Sequence, residues 1–232
     1  MSDSYRRAVL LAAATSELGQ VLARALAATG APLALLDTDR QALRTLAAAC
    51  GPNTVPAPAN TGDPRMARVI VRAVAERFGG IGVCILVPSV AHGGTVADGD
   101  LGAWEEMFQA DLWGPILLAR AAVKAMIDQR PRGGHLVVLN PAGRSPLPDD
   151  PVYCGLCWGL ATFAEAIRRA YIAAAIRVTV IETGAAYPTL NAAGVPPRYD
   201  VVANALIDVL MRPARVSINE IVVQPFAERT SD

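Results

Sequence analysis

The chain has 232 residues, 53% of them hydrophobic and 18% charged, with 21 basic residues against 21 acidic ones. A formal net charge of zero offers no electrostatic footprint for nucleic acid or an anionic membrane surface, which leaves small molecules or other proteins as the expected partners. No apolar run approaches the roughly 18 residues of a membrane span, and the stretch from Met1 to Arg7 leads directly into a strand-like segment, so a cytoplasmic protein is expected.

Length and pattern predict one α/β domain over residues 1–232, because strand-length apolar runs alternate with stretches of helical period throughout. Residues 8–13 read as the first strand. A helix follows from about Glu17, with Leu18, Leu22 and Leu26 at four-residue spacing and Gly30 at its end. The second strand, residues 32–36, runs up to Asp37, and a helix over residues 41–50 leads to a short strand at residues 54–57. Asp63-Pro64 pairs an N-cap with a proline at the first helical position, and that helix stops at Gly79-Gly80. Residues 81–87, 136–139 and 178–181 are continuous apolar runs, as befits central strands buried on both faces. Two long helices are expected at residues 102–127 and 152–175, then a last helix at residues 201–211 and a strand at residues 220–223, which makes about seven strands with helices on both faces of the sheet. Four cysteines, Cys50, Cys84, Cys154 and Cys157, lie in apolar or helical segments and read as reduced thiols rather than a disulfide framework.

Several landmarks recur in a specific order: Asp37 after the second strand, Glu76-Arg77-Phe78-Gly79-Gly80-Ile81 before the fourth, Trp104 seven residues ahead of Asp111, Tyr153 at the start of a long helix, and Ile176-Arg177-Val178 before the sixth strand. On these the chain resembles the short-chain dehydrogenase/reductase superfamily along essentially its whole length. The resemblance implies a Rossmann-type doubly wound parallel sheet. It also implies a Thr-Gly-x-x-x-Gly-x-Gly loop that admits a dinucleotide pyrophosphate to a helix N-terminus. Here the loop reads Ala12-Ala13-Ala14-Thr15-Ser16-Glu17-Leu18-Gly19, so only Gly19 remains and Glu17 holds the place of the middle glycine. A carboxylate about 4 Å from a phosphate repels it by on the order of 4 kcal/mol at an effective dielectric near 20, close to three decades of affinity. The other reading of Glu17 is a favourable first-turn acid on an exposed rotamer. The family's nucleotide contacts after the third and fourth strands are replaced by Asn60 and by Leu86-Val87-Pro88-Ser89, whereas Asp37 is kept, as in family members that take NAD.

The family's Asn-Ser-Tyr-Lys catalytic set maps by motif spacing onto Asp111, Asn140, Tyr153 and Cys157. Only the tyrosine survives. A cysteine cannot lower the phenol's pKa as a lysine would, and the chain's single lysine, Lys124, lies on the first long helix, so Tyr153 is expected to stay protonated near its ordinary value of about 10. The four residues, still polar, suit proton chemistry, with Asp111 as base, Tyr153 as acid and Asn140 holding an oxyanion. The leading expectation is therefore a non-redox acid–base enzyme (a cyclase, dehydratase, isomerase or lyase) acting on a small molecule without a nicotinamide cofactor. One alternative is a catalytically silent subunit paired with an active homologue. Another is an atypical NAD(P)-dependent oxidoreductase. Self-association or pairing with a homologue through the two long helices is implied by the resemblance. Cys154-x-x-Cys157 has thiol–disulfide spacing but stands outside a thioredoxin-like unit, and no metal site is expected. Of the two histidines, His92 follows the fourth strand and is placed near the cleft, and His135 begins a strand as a satisfied edge residue. Residues 184–196 are short for the family's substrate lid.

Overall fold

The computed structural model describes residues 7–88, 94–140, 150–183 and 199–223. His92, Ser89 and residues 184–196 lie outside them. The elements in chain order are β1 (Ala8–Leu11), α1 (Glu17–Ala28), β2 (Leu33–Asp37), α2 (Arg40–Cys50), β3 (Thr54–Pro58), α3 (Pro64–Phe78) and β4 (Ile81–Leu86). There follow α4 (Leu101–Met107), a π-helical segment (Phe108–Trp113), α5 (Gly114–Asp128), β5 (Gly134–Asn140), α6 (Pro151–Ala170), a short 3-10 turn (Ile172–Ala174), β6 (Ile176–Glu182), α7 (Tyr199–Met211) and β7 (Glu220–Val222). The strands form one parallel sheet in the order β3-β2-β1-β4-β5-β6-β7. Chain connections turn in opposite directions on either side of β1 and β4, which makes the carboxyl ends of these strands the topological switch point where ligands bind in such sheets.

Strand periodicity divides the core. On β1, Val9 and Leu11 join Leu18, Leu22, Leu26, Leu43 and Leu206 on the face covered by α1, α2 and α7, whereas Ala8 and Leu10 join Val71, Leu118 and Leu160 under α3, α5 and α6. All of β1, β4 and β5 is buried, which is why these segments read as unbroken apolar runs. Each fully buried leucine contributes about 1.5–3 kcal/mol relative to exposure. Helix starts follow from short acidic side chains: Asp39 accepts from the Gln41 and Ala42 amides at 2.9 Å, and Asp63 caps α3 ahead of Pro64. Gly79 ends α3 in the left-handed region at φ 73°, as its position predicts.

The two long helices differ from expectation. The first is broken into α4, the π-helical turn and α5; Pro115, at the start of α5, has no amide hydrogen to bond back into the preceding turn, so the ladder is reorganised there. The second ends at Ala170, five residues early, where Tyr171 leaves helical geometry at φ −118°; after the 3-10 turn Ala175 takes φ 56° and leads the chain into β6.

His135 also departs from its expected place at a sheet edge, since β5 is internal and the side chain is buried. The Thr179 hydroxyl spends its one proton on the Ile218 carbonyl at 2.5 Å, so at the 2.8 Å contact the imidazole Nε2–H is the donor. Burial, reinforced by nearby Arg177, lowers the His135 pKa from 6.5 to about 3. Above pH 6.5 both folded and unfolded chains hold a neutral imidazole. Below it only the unfolded chain takes up the proton, so stability falls by about 1.4 kcal/mol per pH unit as pH drops toward 3. Urea unfolding between pH 7 and 5 should show this slope, and His135→Met should lose it; equal slopes in both proteins would remove His135 as the cause.

Candidate functional site

The β1–α1 turn is built from backbone constraints. Ala13, at the family's first glycine position, has φ 47°, a left-handed conformation that costs an alanine about 1–2 kcal/mol. Gly19 has no room for a side chain: a Cβ would lie 2.2 Å from the Ala13 carbonyl oxygen and 2.9 Å from Ala14 backbone atoms. Ser16 caps α1, accepting from the Gly19 amide at 3.1 Å while its hydroxyl donates to the Ala13 carbonyl at 2.8 Å. The loop thus keeps a glycine-type backbone with two of its glycines replaced. Ala13→Gly is expected to raise stability by about 0.5–1 kcal/mol, the relieved strain less the added chain entropy. Chemical denaturation reads this directly, and a destabilised variant would show that the left-handed turn is not formed.

Two acids flank this turn, and each is bonded to a hydroxyl of the chain itself. Asp37, half-buried at the end of β2, accepts at Oδ2 from the Thr15 amide (3.1 Å) and hydroxyl (2.5 Å) and at Oδ1 from the Thr38 amide (2.7 Å). Glu17 is exposed, and its Oε2 accepts the Tyr199 hydroxyl at 3.2 Å. Of the two readings left open for Glu17, the structure therefore shows an exposed rotamer bound to α7. Burial first, and then the Glu17 contact, raise the Tyr199 pKa to about 12. Asn60 bonds the Gly62 amide at 2.9 Å and serves the turn into α3.

The four residues mapped onto the family's catalytic set lie around one end of the sheet. Asn140 is the last residue of β5 and 2% exposed, and its Oδ1 is buried with no hydrogen-bond partner among the described residues. Tyr153, Cys154 and Cys157 occupy the first turns of α6, whose N-cap Asp150 accepts from the Tyr153 amide at 3.4 Å. Their side chains pack with Met107 and Leu156 against Trp104 and Leu112. Asp111 is buried in the π-helical segment, which packs on α6. π-Bulges recur at functional sites because they re-aim side chains. Next to Asn140, Thr183 follows β6, donates its amide to the Asn140 carbonyl at 3.1 Å and carries a buried hydroxyl with no partner among the described residues. Cys84, deep in β4, has its thiol pushed up to about 12 by burial and is inert. No cluster of metal-ligating side chains occurs among the described residues.

Sequence reasoning missed Ala13, Thr15, Tyr199 and Thr183. A loop with two lost glycines could have signalled Ala13, but Tyr199 lies 182 residues from Glu17 and nothing local announces it. On the opposite side of the molecule from α1 and α7, the outer surface of the π segment and α6 exposes Phe108, Trp113 and Trp158, and a groove of about 1020 Å³ runs along α3, α5 and α6. No described helix is long and apolar enough to cross a membrane.

Comparison with known proteins agrees with this architecture. The profile of the short chain dehydrogenase family matches residues 7–197. An uncharacterized oxidoreductase of Staphylococcus aureus (strain USA300) is 21% identical over 226 residues, covering 94% of this chain and 97% of its own. Serine dehydrogenase from Escherichia coli superposes with a TM-score of 0.84 at 22% identity, over 94% of this chain and 97% of its own. An alcohol dehydrogenase from the archaeon Thermococcus sibiricus, solved with 5-hydroxy-NADP, gives 0.83 at 18% identity over 97% and 99%. A dehydrogenase profile and oxidoreductase relatives overturn the expectation of a non-redox enzyme, and they do not support its lean toward a protein without a nicotinamide cofactor. The chain belongs to the short-chain dehydrogenase family.

Proposed function

We propose that this protein is an atypical nicotinamide-dependent oxidoreductase that interconverts a small carbonyl compound and its alcohol, with NAD(H) preferred over NADP(H). The observation that carries the reading is the β1–α1 turn: the left-handed Ala13 and the Cβ-intolerant Gly19 retain the backbone that lets a pyrophosphate approach a helix N-terminus. The residues present fit such a group. The α1 N-terminus would face its phosphates and Asp37 its adenosine ribose, where a 2′-phosphate would meet a carboxylate of like charge. A ribose hydroxyl would exchange with the Thr15 hydroxyl at Asp37 Oδ2.

When bound, the nicotinamide supplies or accepts the hydride; proton handling is left to the chain. Cys157, one helical turn from Tyr153 on α6, stands where the family carries its lysine. Tyr153 serves as a donor, delivering a proton to the substrate oxygen, which favours carbonyl reduction. Asn140, at the end of β5, can donate an amide hydrogen to the same oxygen as charge develops on it. Asp111 lies buried in the π segment, which packs on α6, the helix that carries the tyrosine. A panel of small aldehydes, ketones and keto acids, assayed for loss of the reduced-nicotinamide absorbance, tests the reading: at least one should be turned over faster with NADH than with NADPH. Turnover with NADPH alone would refute the assignment of Asp37, and carbonyl reduction with neither coenzyme would refute the oxidoreductase reading.

A further inference from the structure

Glu17 holds the position at which a dinucleotide loop normally carries a glycine, and the structure shows where its charge goes. The residue opens α1 and is exposed, and its carboxylate accepts a hydrogen bond at 3.2 Å from Tyr199, the first residue of α7. Helix α7 packs alongside α1 through Leu206 and Val202, which share a core cluster with Leu18 and Leu22, so the phenol is presented from a fixed neighbouring element. The backbone at Glu17 is ordinary, since the positive-φ non-glycine residues described are Ala13 and Ala175. What Glu17 costs the loop is therefore its charge and bulk, not backbone strain.

A carboxylate at the first position of a helix has two resting places. It can fold back over the helix N-terminus, attracted by the amide dipoles, and there it competes with a phosphate for the same groups. It can also turn outward, if something outside accepts it. We propose that Tyr199 is a positioning residue for the dinucleotide site: its hydroxyl holds the Glu17 carboxylate against α7 and keeps it off the N-terminus of α1, so that a pyrophosphate can enter. The proposal rests on the reading that the chain binds a nicotinamide dinucleotide. The half-buried phenol, which resists ionisation because of its burial and the adjacent Glu17, stays a hydrogen-bond donor throughout the physiological range. A neutral donor bonded to a carboxylate shifts such a rotamer balance by on the order of five- to ten-fold, and apparent ligand affinity follows the fraction of protein in the open arrangement.

The test is a double-mutant cycle on the full chain, read by calorimetric titration with NADH of wild type, Tyr199→Phe, Glu17→Gln and the double variant. Tyr199→Phe is expected to weaken binding about five- to ten-fold. Glu17→Gln should bind at least as tightly as wild type, and in its background Tyr199→Phe should have no effect, because no charge remains to be held. An unchanged affinity in Tyr199→Phe overturns the proposal. So does an equal loss in both backgrounds, which would make Tyr199 a direct ligand contact. Binding by Glu17→Gln but not by wild type would overturn it while leaving the dinucleotide site intact, whereas binding by none of the four removes the dinucleotide reading itself. A readout without nucleotide is the ultraviolet titration of the tyrosine: Glu17→Gln should lower the pH at which Tyr199 ionises, assigned by difference against Tyr199→Phe, and no movement would show that the contact is absent.

Discussion

Tyr153→Phe is expected to slow carbonyl reduction by at least about a hundred-fold, the usual contribution of a positioned general acid, while NADH affinity and the unfolding midpoint stay at wild-type values. The ring is fully buried and packs with Met107, Leu156 and Cys157. Phenylalanine keeps that ring and removes only the hydroxyl, so a fall in kcat without a change in KM for the coenzyme separates loss of the proton from loss of structure. An unaltered rate would pass the proton to another group at the end of β5 or in the π segment and would withdraw Tyr153 from the mechanism.

The second large effect belongs to Gly19→Ala. The added methyl carbon would sit 2.2 Å from the Ala13 carbonyl oxygen and 2.9 Å from the Ala14 backbone, and none of these atoms is the free end of a side chain. Relief requires the turn to move off α1, which breaks the Ser16 cap and the left-handed turn at Ala13 together. A loss of about 2–4 kcal/mol in chemical denaturation is expected, with NADH binding abolished. Unchanged stability and affinity would mean that the loop does not pack on the helix in this way and does not form the pyrophosphate path.

Much of the fold was legible because its determinants are local or periodic. The buried runs of β1, β4 and β5, the Asp63-Pro64 start and the Gly79 end of α3 all follow from residue types acting on their nearest neighbours. The break before α5 has its cause in Pro115, which the expected continuous helix over residues 102–127 left out of account. Motif order mapped the candidate residues but not the contacts around them. Asp111, Asn140, Tyr153 and Cys157 could be placed from motif order. The hydroxyls engaging Asp37 and Glu17 come from 22 and 182 residues away, and only the folded chain brings them there. Lost glycines in the loop suggested a lost nucleotide site; the fold adds what the residue types did not announce, a left-handed turn held by Ala13 at the first of those positions, at the cost of strain.

The measurement that bears most directly on this account is calorimetric titration of the wild-type protein with NADH, with NADPH as the comparison. Saturable binding of NADH in the micromolar range, tighter than that of NADPH, is the predicted result. No heat of binding from either coenzyme would contradict it and would leave a dehydrogenase fold without its nucleotide.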